Sequence, residues 1–228
     1  MRLFGEDILP LALEHIVLAV VPVLIGLVIS LVLGWWAWRV PAVRRILVPL
    51  TGVLYTIPSL ALFVVMPLIL GTRILDPVNV VAALVLYAVA LLVRSVVDGL
   101  DDVPDDVMTA AVAMGYRPVG LLVGVQLPLA VPVLIGGLRV ATVSSFSLVA
   151  VGAIIGQGAL GALFTQGFER FYTAQIVFGL VSIVVLALVF DALWVLVGRL
   201  LAPWTTASRG GSDRSRADDT AVGTGVEV

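Results

Sequence analysis

Five long apolar runs, at about 16–38, 46–70, 78–97, 129–155 and 174–201, constrain this chain more than any other feature. A helix needs about 20 mostly apolar residues to cross the hydrocarbon core of a bilayer, and each run is long enough. In lipid every backbone N–H and C=O must find a partner within the segment, so such runs fold as helices and not as open sheets. The expected fold is all-α: a polytopic membrane protein with about five transmembrane helices. Composition agrees. Of 228 residues, 61% are hydrophobic and 12% charged, and the mean hydropathy is +1.18. Soluble domains carry about 25% charged residues, so a soluble globular domain is excluded. The first run follows Glu6, Asp7 and Glu14 rather than basic residues, and no small-residue cleavage site follows it. It therefore reads as a span and not as a leader.

Missing residue types exclude several chemistries. There is no cysteine, hence no disulfide, thiolate metal site or thiol nucleophile. The single histidine, His15, excludes a His-rich metal cluster and reads as interfacial, at the outer edge of the first span. No metal site is expected. All 13 basic residues are arginine, so a Walker A loop, which needs its lysine on the phosphates, is absent. A net charge of −2 gives no electrostatic reason to expect nucleic acid.

Arginine placement orients the chain. With the N-terminus outside, the inner segments hold Arg39, Arg44, Arg45, Arg94, Arg117, Arg199, Arg209, Arg214 and Arg216, and the outer ones hold Arg2, Arg73 and Arg170. That asymmetry follows the positive-inside rule, and it puts Trp35, Trp36 and Trp38 at the inner interface, where indoles concentrate. The expected division is an extracytoplasmic segment 1–15, a membrane domain 16–204, and a cytoplasmic tail 205–228. The tail's Gly, Ser, Thr, Asp and Arg content reads as disordered.

The loop 98–128 carries the most information. Pro104 suits the first turn of a helix, and Asp101, Asp102, Asp105 and Asp106 gather where a helix dipole favours anions. Val103, Val107, Ala110, Ala111 and Met114 then share one helical face. Gly115 suits the residue just past a helix end. Pro118 opens a second helix, and Pro128 limits its continuation. The expected shape is helix, glycine corner, short helix. The apolar stripe either seats a partner against its small residues or packs on the chain's own spans.

Thr109-Ala110-Ala111, three residues, Gly115, nine residues, Val125, one residue, Leu127-Pro128 resembles the coupling motif of binding-protein-dependent ABC importer permeases, E-A-A, three residues, G, nine residues, I, one residue, L-P. Thr109 stands for the Glu and Val125 for the Ile. Gly137-Leu138-Arg139 also resembles these permeases. Tyr55 to Leu62 (YTIPSLAL) resembles the glycine betaine, carnitine and choline branch. Gly152 to Leu163 (GAIIGQGALGAL) is similar to that branch's G-x-G-G-L-G region, with Ala159 where the second Gly is common.

The resemblance implies a permease subunit of an ABC importer in the cytoplasmic membrane, moving a small quaternary-ammonium osmoprotectant. It implies two cytoplasmic ATPase subunits, a second permease subunit, identical or a paralogue, and an extracytoplasmic binding protein. It places ATP and Mg on the separate ATPase, with no cofactor in this chain and no enzymatic activity of its own. The motif makes Thr109, Ala110, Ala111, Met114, Gly115, Leu127 and Pro128 the ATPase-coupling residues.

Polar residues inside the apolar runs are the candidates for the substrate path: Tyr55, Thr56, Pro58 and Ser59 on the second run, and Thr142, Ser144, Ser145 and Ser147 on the fourth. The bland alternative is helix packing, which also uses small hydroxyls. Pro49, Pro58 and Pro67 break the second run, and Gly152 and Gly156 form a G-x-x-x-G of the kind used in close helix contact. Arg139 reads as structural, and Asp191, with Arg199 eight residues on, reads as one of a paired structural charge. Other readings are a permease of the same superfamily for an amino acid, sulfonate or phosphonate, a secondary transporter, and a membrane prenyltransferase. The last rests on D-D-x-x-D at Asp101, Asp102 and Asp105, because carboxylates suit Mg²⁺.

Overall fold

A computed structural model describes residues 8–204, and among these all regular structure is helical. The first run forms α1 (Ile8–Arg39), so the helix already includes 8–15, the stretch expected to precede the membrane domain. The third forms α4 (Pro77–Asp101), with Asp76 capping it by accepting from the Val78 N–H at 3.0 Å. The fourth forms α7 (Leu127–Val151) and the fifth α9 (Thr173–Leu201). These four helices are each long and apolar enough to cross a membrane.

The second run departs from a simple span. It divides into α2 (Pro41–Thr56) and α3 (Ser59–Leu70), which meet at 107°. Of the three prolines only Pro58 breaks the helix; Pro49 and Pro67 lie within α2 and α3. Pro58 has no N–H to give, and it disfavours helical backbone at the residue before it. Ile57 accordingly sits at φ −65, ψ 128. The Tyr87 hydroxyl of α4 donates to the Ile57 carbonyl, which supplies the partner that a broken helix needs in an apolar setting.

Close helix approach comes from small residues on α1. A Cβ on Gly26 would lie 2.5 Å from the Ala88 Cβ, and one on Gly34 would lie 2.6 Å from the Val96 Cβ. With the buried Ser30 between them, these residues form a small-x-x-x-small stripe against α4. Gly152 and Gly156 behave differently from the expected helix contact. Gly152 opens a 3₁₀ turn, Gly152–Ile155, where a Cβ would crowd the Gln157 carbonyl at 2.5 Å. Gly156 is left-handed at φ +82. A second 3₁₀ turn, Ala159–Gly161, leads into α8 (Ala162–Glu169).

The interior is three apolar clusters stacked along the bundle. One surrounds Phe63, Leu84, Phe146 and Leu160 at the 3₁₀ end. A middle one joins Val23, Leu92, Leu138 and Ala141. The third, at the opposite end, joins Val96, Leu100, Ala130 and Leu134. His15 belongs to the first cluster. It is fully buried, its ring stacks on Phe146, and its Nε2 lies 3.0 Å from the Phe146 carbonyl, to which it donates. The interfacial expectation for His15 is corrected. The Phe146 carbonyl, 131 residues away, gives Nε2 an acceptor inside the bundle, while Nδ1 is buried without a partner among the described residues.

Candidate functional site

At the end of the bundle formed by the third cluster, the chain leaves α4, makes an elbow, and returns as α7. The elbow consists of α5 (Asp105–Ala113), a corner at Gly115, and α6 (Pro118–Leu121). Its base is tied to the bundle by Arg44 of α2, whose guanidinium donates to both oxygens of Asp101 at 3.1 and 2.5 Å. Such a bidentate pair fixes direction as well as distance.

The corner closes as a full Schellman motif. The Gly115 N–H donates to Val112 O at 2.9 Å and the Tyr116 N–H to Ala111 O at 3.2 Å, with Gly115 at φ +85. Nothing lies within 4 Å of where a Gly115 Cβ would be, so backbone conformation alone calls for glycine here. The Tyr116 ring then lies over α6 and the turn after it, 3.3 Å from where a Gly124 Cβ would sit.

The expected stripe divides between its two readings. Val103 and Ala111 are buried and Val107 half-buried, so these pack inward. Ala110 and Met114 face away from the bundle and are exposed, as is Val119, whereas Val112 and Tyr116, also exposed, border a cavity shared with Trp35 and Trp38 of α1. Thr109 is exposed on the same helix, its hydroxyl donating to Asp105 O at 2.8 Å.

Pro128 does not end the second helix as expected. The chain passes from α6 through one π turn, Leu122–Gln126, straight into α7. Pro128 has no N–H for the Gly124 carbonyl, and its ring crowds that position. A π turn widens the helix just before it, with the Leu127 N–H reaching five residues back to Leu122 O. The elbow and the fourth span are thereby one continuous rod from Pro118.

The path candidates are spread over α2, α3 and α7, and not all are free. Tyr55, Ser144 and Ser145 line one narrow cleft with Leu84, Tyr87 and Leu91. Tyr87 carries no motif in the sequence, yet it holds the α2–α3 break and meets Tyr55 edge-on with ring centres 5.8 Å apart. The Ser145 hydroxyl donates to Ala19 O at 2.8 Å, tying α7 to α1. Thr142 is buried, and its hydroxyl accepts from Trp194 Nε1 at 2.8 Å, tying α7 to α9. Thr56 and Pro58 are exposed at the break, with the Thr56 hydroxyl returned to Val53 O at 2.7 Å, and Ser59 is half-buried. Ser144 is half-buried and Ser147 exposed on the open side of α7.

On that open side, Gly136, Val140, Val143 and Ser144 surround a cavity of about 430 Å³ containing Arg139 and Asp191. Arg139 Nε and Nη2 donate to the two Asp191 oxygens at 2.7 and 2.8 Å. The partner of Asp191 is therefore Arg139, 52 residues away, and not Arg199. The run Gly137-Leu138-Arg139 uses each residue differently. A Cβ on Gly137 would collide with Ser95 of α4, Leu138 is buried in the middle cluster, and Arg139 reaches across to α9.

The fold is thus a helical bundle whose fourth span is extended at one end by a Gly-cornered, apolar-tipped elbow. A family model described as "Binding-protein-dependent transport system inner membrane component" matches residues 26–207, and the chain belongs to that family. It is therefore a multi-pass membrane protein, a transporter component and not an enzyme, and the prenyltransferase reading falls. The glycine betaine/proline betaine transport system permease protein ProW of Escherichia coli is 30% identical over 82% of this chain and 52% of its own length. The choline transport system permease protein OpuBB of Bacillus subtilis is 27% identical over 87% of this chain and 90% of its own. EgtU of Helicobacter pylori, an ergothioneine transport permease/ergothioneine binding protein, is 33% identical over 72% of this chain. The chain spans about half the length of ProW and 29% of the length of EgtU. An inward facing structure of the MetNI methionine ABC transporter shares the fold, with a TM-score of 0.78 at 22% identity, over 87% of this chain and 99% of that one.

Proposed function

We propose that this chain is the membrane-spanning subunit of an ABC importer for a small quaternary-ammonium osmoprotectant such as glycine betaine, carnitine or choline. The observation that carries the proposal is the elbow. Exposed Ala110, Met114 and Val119 stand beyond the bundle on a corner whose second arm runs straight into α7. A push on that surface moves a span. The elbow faces the cytoplasm and seats a separate ATPase, which holds ATP and Mg. An extracytoplasmic binding protein delivers cargo to the other face, and a second permease subunit completes the path. The N-terminus is outside and the C-terminus inside. ATP-driven approach of the two ATPases rocks the spans between inward-open and outward-open arrangements, a rigid-body transition; no bond in the cargo is made or broken.

The path runs along the open side of α7, past Ser144 and Ser147 and the Tyr55–Thr56–Pro58 break. Thr142 and Ser145 serve helix packing there, their hydroxyls already being engaged. The cargo class rests on the relatives: ProW is a permease for glycine betaine and proline betaine and OpuBB for choline. Uptake of labelled glycine betaine, carnitine and choline, in cells with and without this gene, tests the proposal. Gene-dependent uptake of at least one is expected, lost on ATP depletion with the ion gradient intact. No gene-dependent uptake of any of the three rejects the cargo class, and uptake that survives ATP depletion rejects the ABC mechanism.

A further inference from the structure

Two cavities at the elbow end share one wall, the indole of Trp35. One, of about 280 Å³, has only apolar lining, including Leu31 and Val32 of α1, Val96 and Leu100 of α4, and Leu122 of the π turn. The other, of about 320 Å³, lies where α1 ends and the elbow begins, and is walled by Trp38, Arg39, Tyr116 and Gln126. No carboxylate lines either cavity. Arg39 is exposed and forms no ion pair among the described residues. Gln126 closes the π turn and is 2% exposed, yet its Nε2 donates to nothing. A buried amide without a partner calls for an explanation.

From this arrangement we infer that the paired cavities form a binding site for one anionic phospholipid of the elbow-side leaflet. An apolar groove that borders an aromatic, cationic cavity at Trp35 fits a molecule with a hydrocarbon tail and a negative head. The acyl chain lies along Leu31, Val32, Val96 and Leu100. The phosphate pairs with Arg39, and a head-group oxygen accepts from Gln126 Nε2. Trp35 and Trp38 sit at the junction, where indoles match the boundary between hydrocarbon and head groups. Val112 and Tyr116 of the elbow belong to the same wall. The lipid is thus wedged between α1 and the elbow, and it couples the elbow's position to the membrane surface.

Native mass spectrometry of the purified full-length chain tests this, with phosphatidylglycerol and phosphatidylcholine of matched acyl chains. One phosphatidylglycerol should be retained at about fivefold lower lipid concentration than phosphatidylcholine, the factor a single basic side chain at an anionic surface supplies. Arg39→Gln should abolish that preference. Val32→Trp, on an exposed surface of α1, should fill the groove and weaken retention of both lipids while circular dichroism keeps its helical signal. Arg94→Gln, at a cation paired with Asp98 elsewhere on the surface, should change nothing. Equal retention of the two lipids by the unaltered chain overturns the site. So does a preference that survives Arg39→Gln, or one that Arg94→Gln removes equally. Quantitative disulfide-linked dimer from Val32→Cys in membranes would put a second copy in the groove and overturn it as well.

Discussion

Ala159 sits at φ +43, a backbone conformation that costs alanine about 1–2 kcal/mol. It is also the position at which the resemblance places glycine. Replacing it by glycine relieves that strain and adds chain entropy to the unfolded state worth about 0.5–1 kcal/mol. Glycine also removes a methyl that is 4% exposed within the first apolar cluster, which costs about 0.8 kcal/mol. The three effects nearly cancel, so Ala159→Gly should change stability by less than about 0.5 kcal/mol, seen as an almost unmoved thermal midpoint in detergent; a large loss would mean that the left-handed turn carries no strain. A different balance governs Arg139 and Asp191, which lie well inside α7 and α9. Removing one charge leaves the other unpaired in an apolar setting, whereas removing both leaves two neutral polar groups. Arg139→Gln should therefore reduce the amount of chain in the membrane more than Arg139→Gln combined with Asp191→Asn. Immunoblots of membrane fractions check the order, and equal losses would mean the pair is solvated. Both charges are plain in the sequence, but not their pairing. A partner 52 residues away on another span leaves no local pattern to read.

Among the elements, the elbow was the most legible. Its determinants are local: a Pro-led start, a run of small and apolar residues on one face, and a glycine just past the end. Each acts within a few residues, and the structure repeats them at Asp105–Ala113 and Gly115. The π turn has no such local mark, because Pro128 reads equally as a stop or as a local widening, and only the continuation into α7 decides. The second apolar run was legible as apolar but not as bent. Pro49, Pro58 and Pro67 look alike in sequence, and the break falls where a Tyr87 hydroxyl is at hand to take up the Ile57 carbonyl. The corner allows a sharp test because no neighbour crowds Gly115. Gly115→Val should cost about 1–2 kcal/mol through backbone conformation alone and abolish ATP-coupled uptake while the chain still inserts. Gly115→Asn, which tolerates the left-handed region, should retain most uptake. Full uptake with valine, at normal membrane levels, would show that the corner's angle does not matter.

At the scale of the whole molecule, hydropathy alone marks the four helices that are long and apolar enough to cross, and the second run as apolar but not as bent, since the backbone's need for partners in lipid leaves helices as the available fold for such runs. What it did not contain was the lateral arrangement: α1 laid along α4 through Gly26, Ser30 and Gly34, and His15 folded inward onto Phe146. Those choices follow from shape matching between segments far apart in sequence. Direction across the membrane rests on arginine asymmetry, which is a bias on insertion and not a contact. It can be tested cleanly because the chain has no cysteine of its own. Val119 on the elbow and Ile154 in the opposite 3₁₀ turn are both exposed, at 71% and 65%. Ile154→Cys should react with a membrane-impermeant maleimide in intact cells, and Val119→Cys only after the cells are opened. The reverse pattern would turn the molecule over and put the elbow on the face away from any cytoplasmic ATPase. The coupling role would then be lost, whereas the phospholipid site would stand and merely change leaflets.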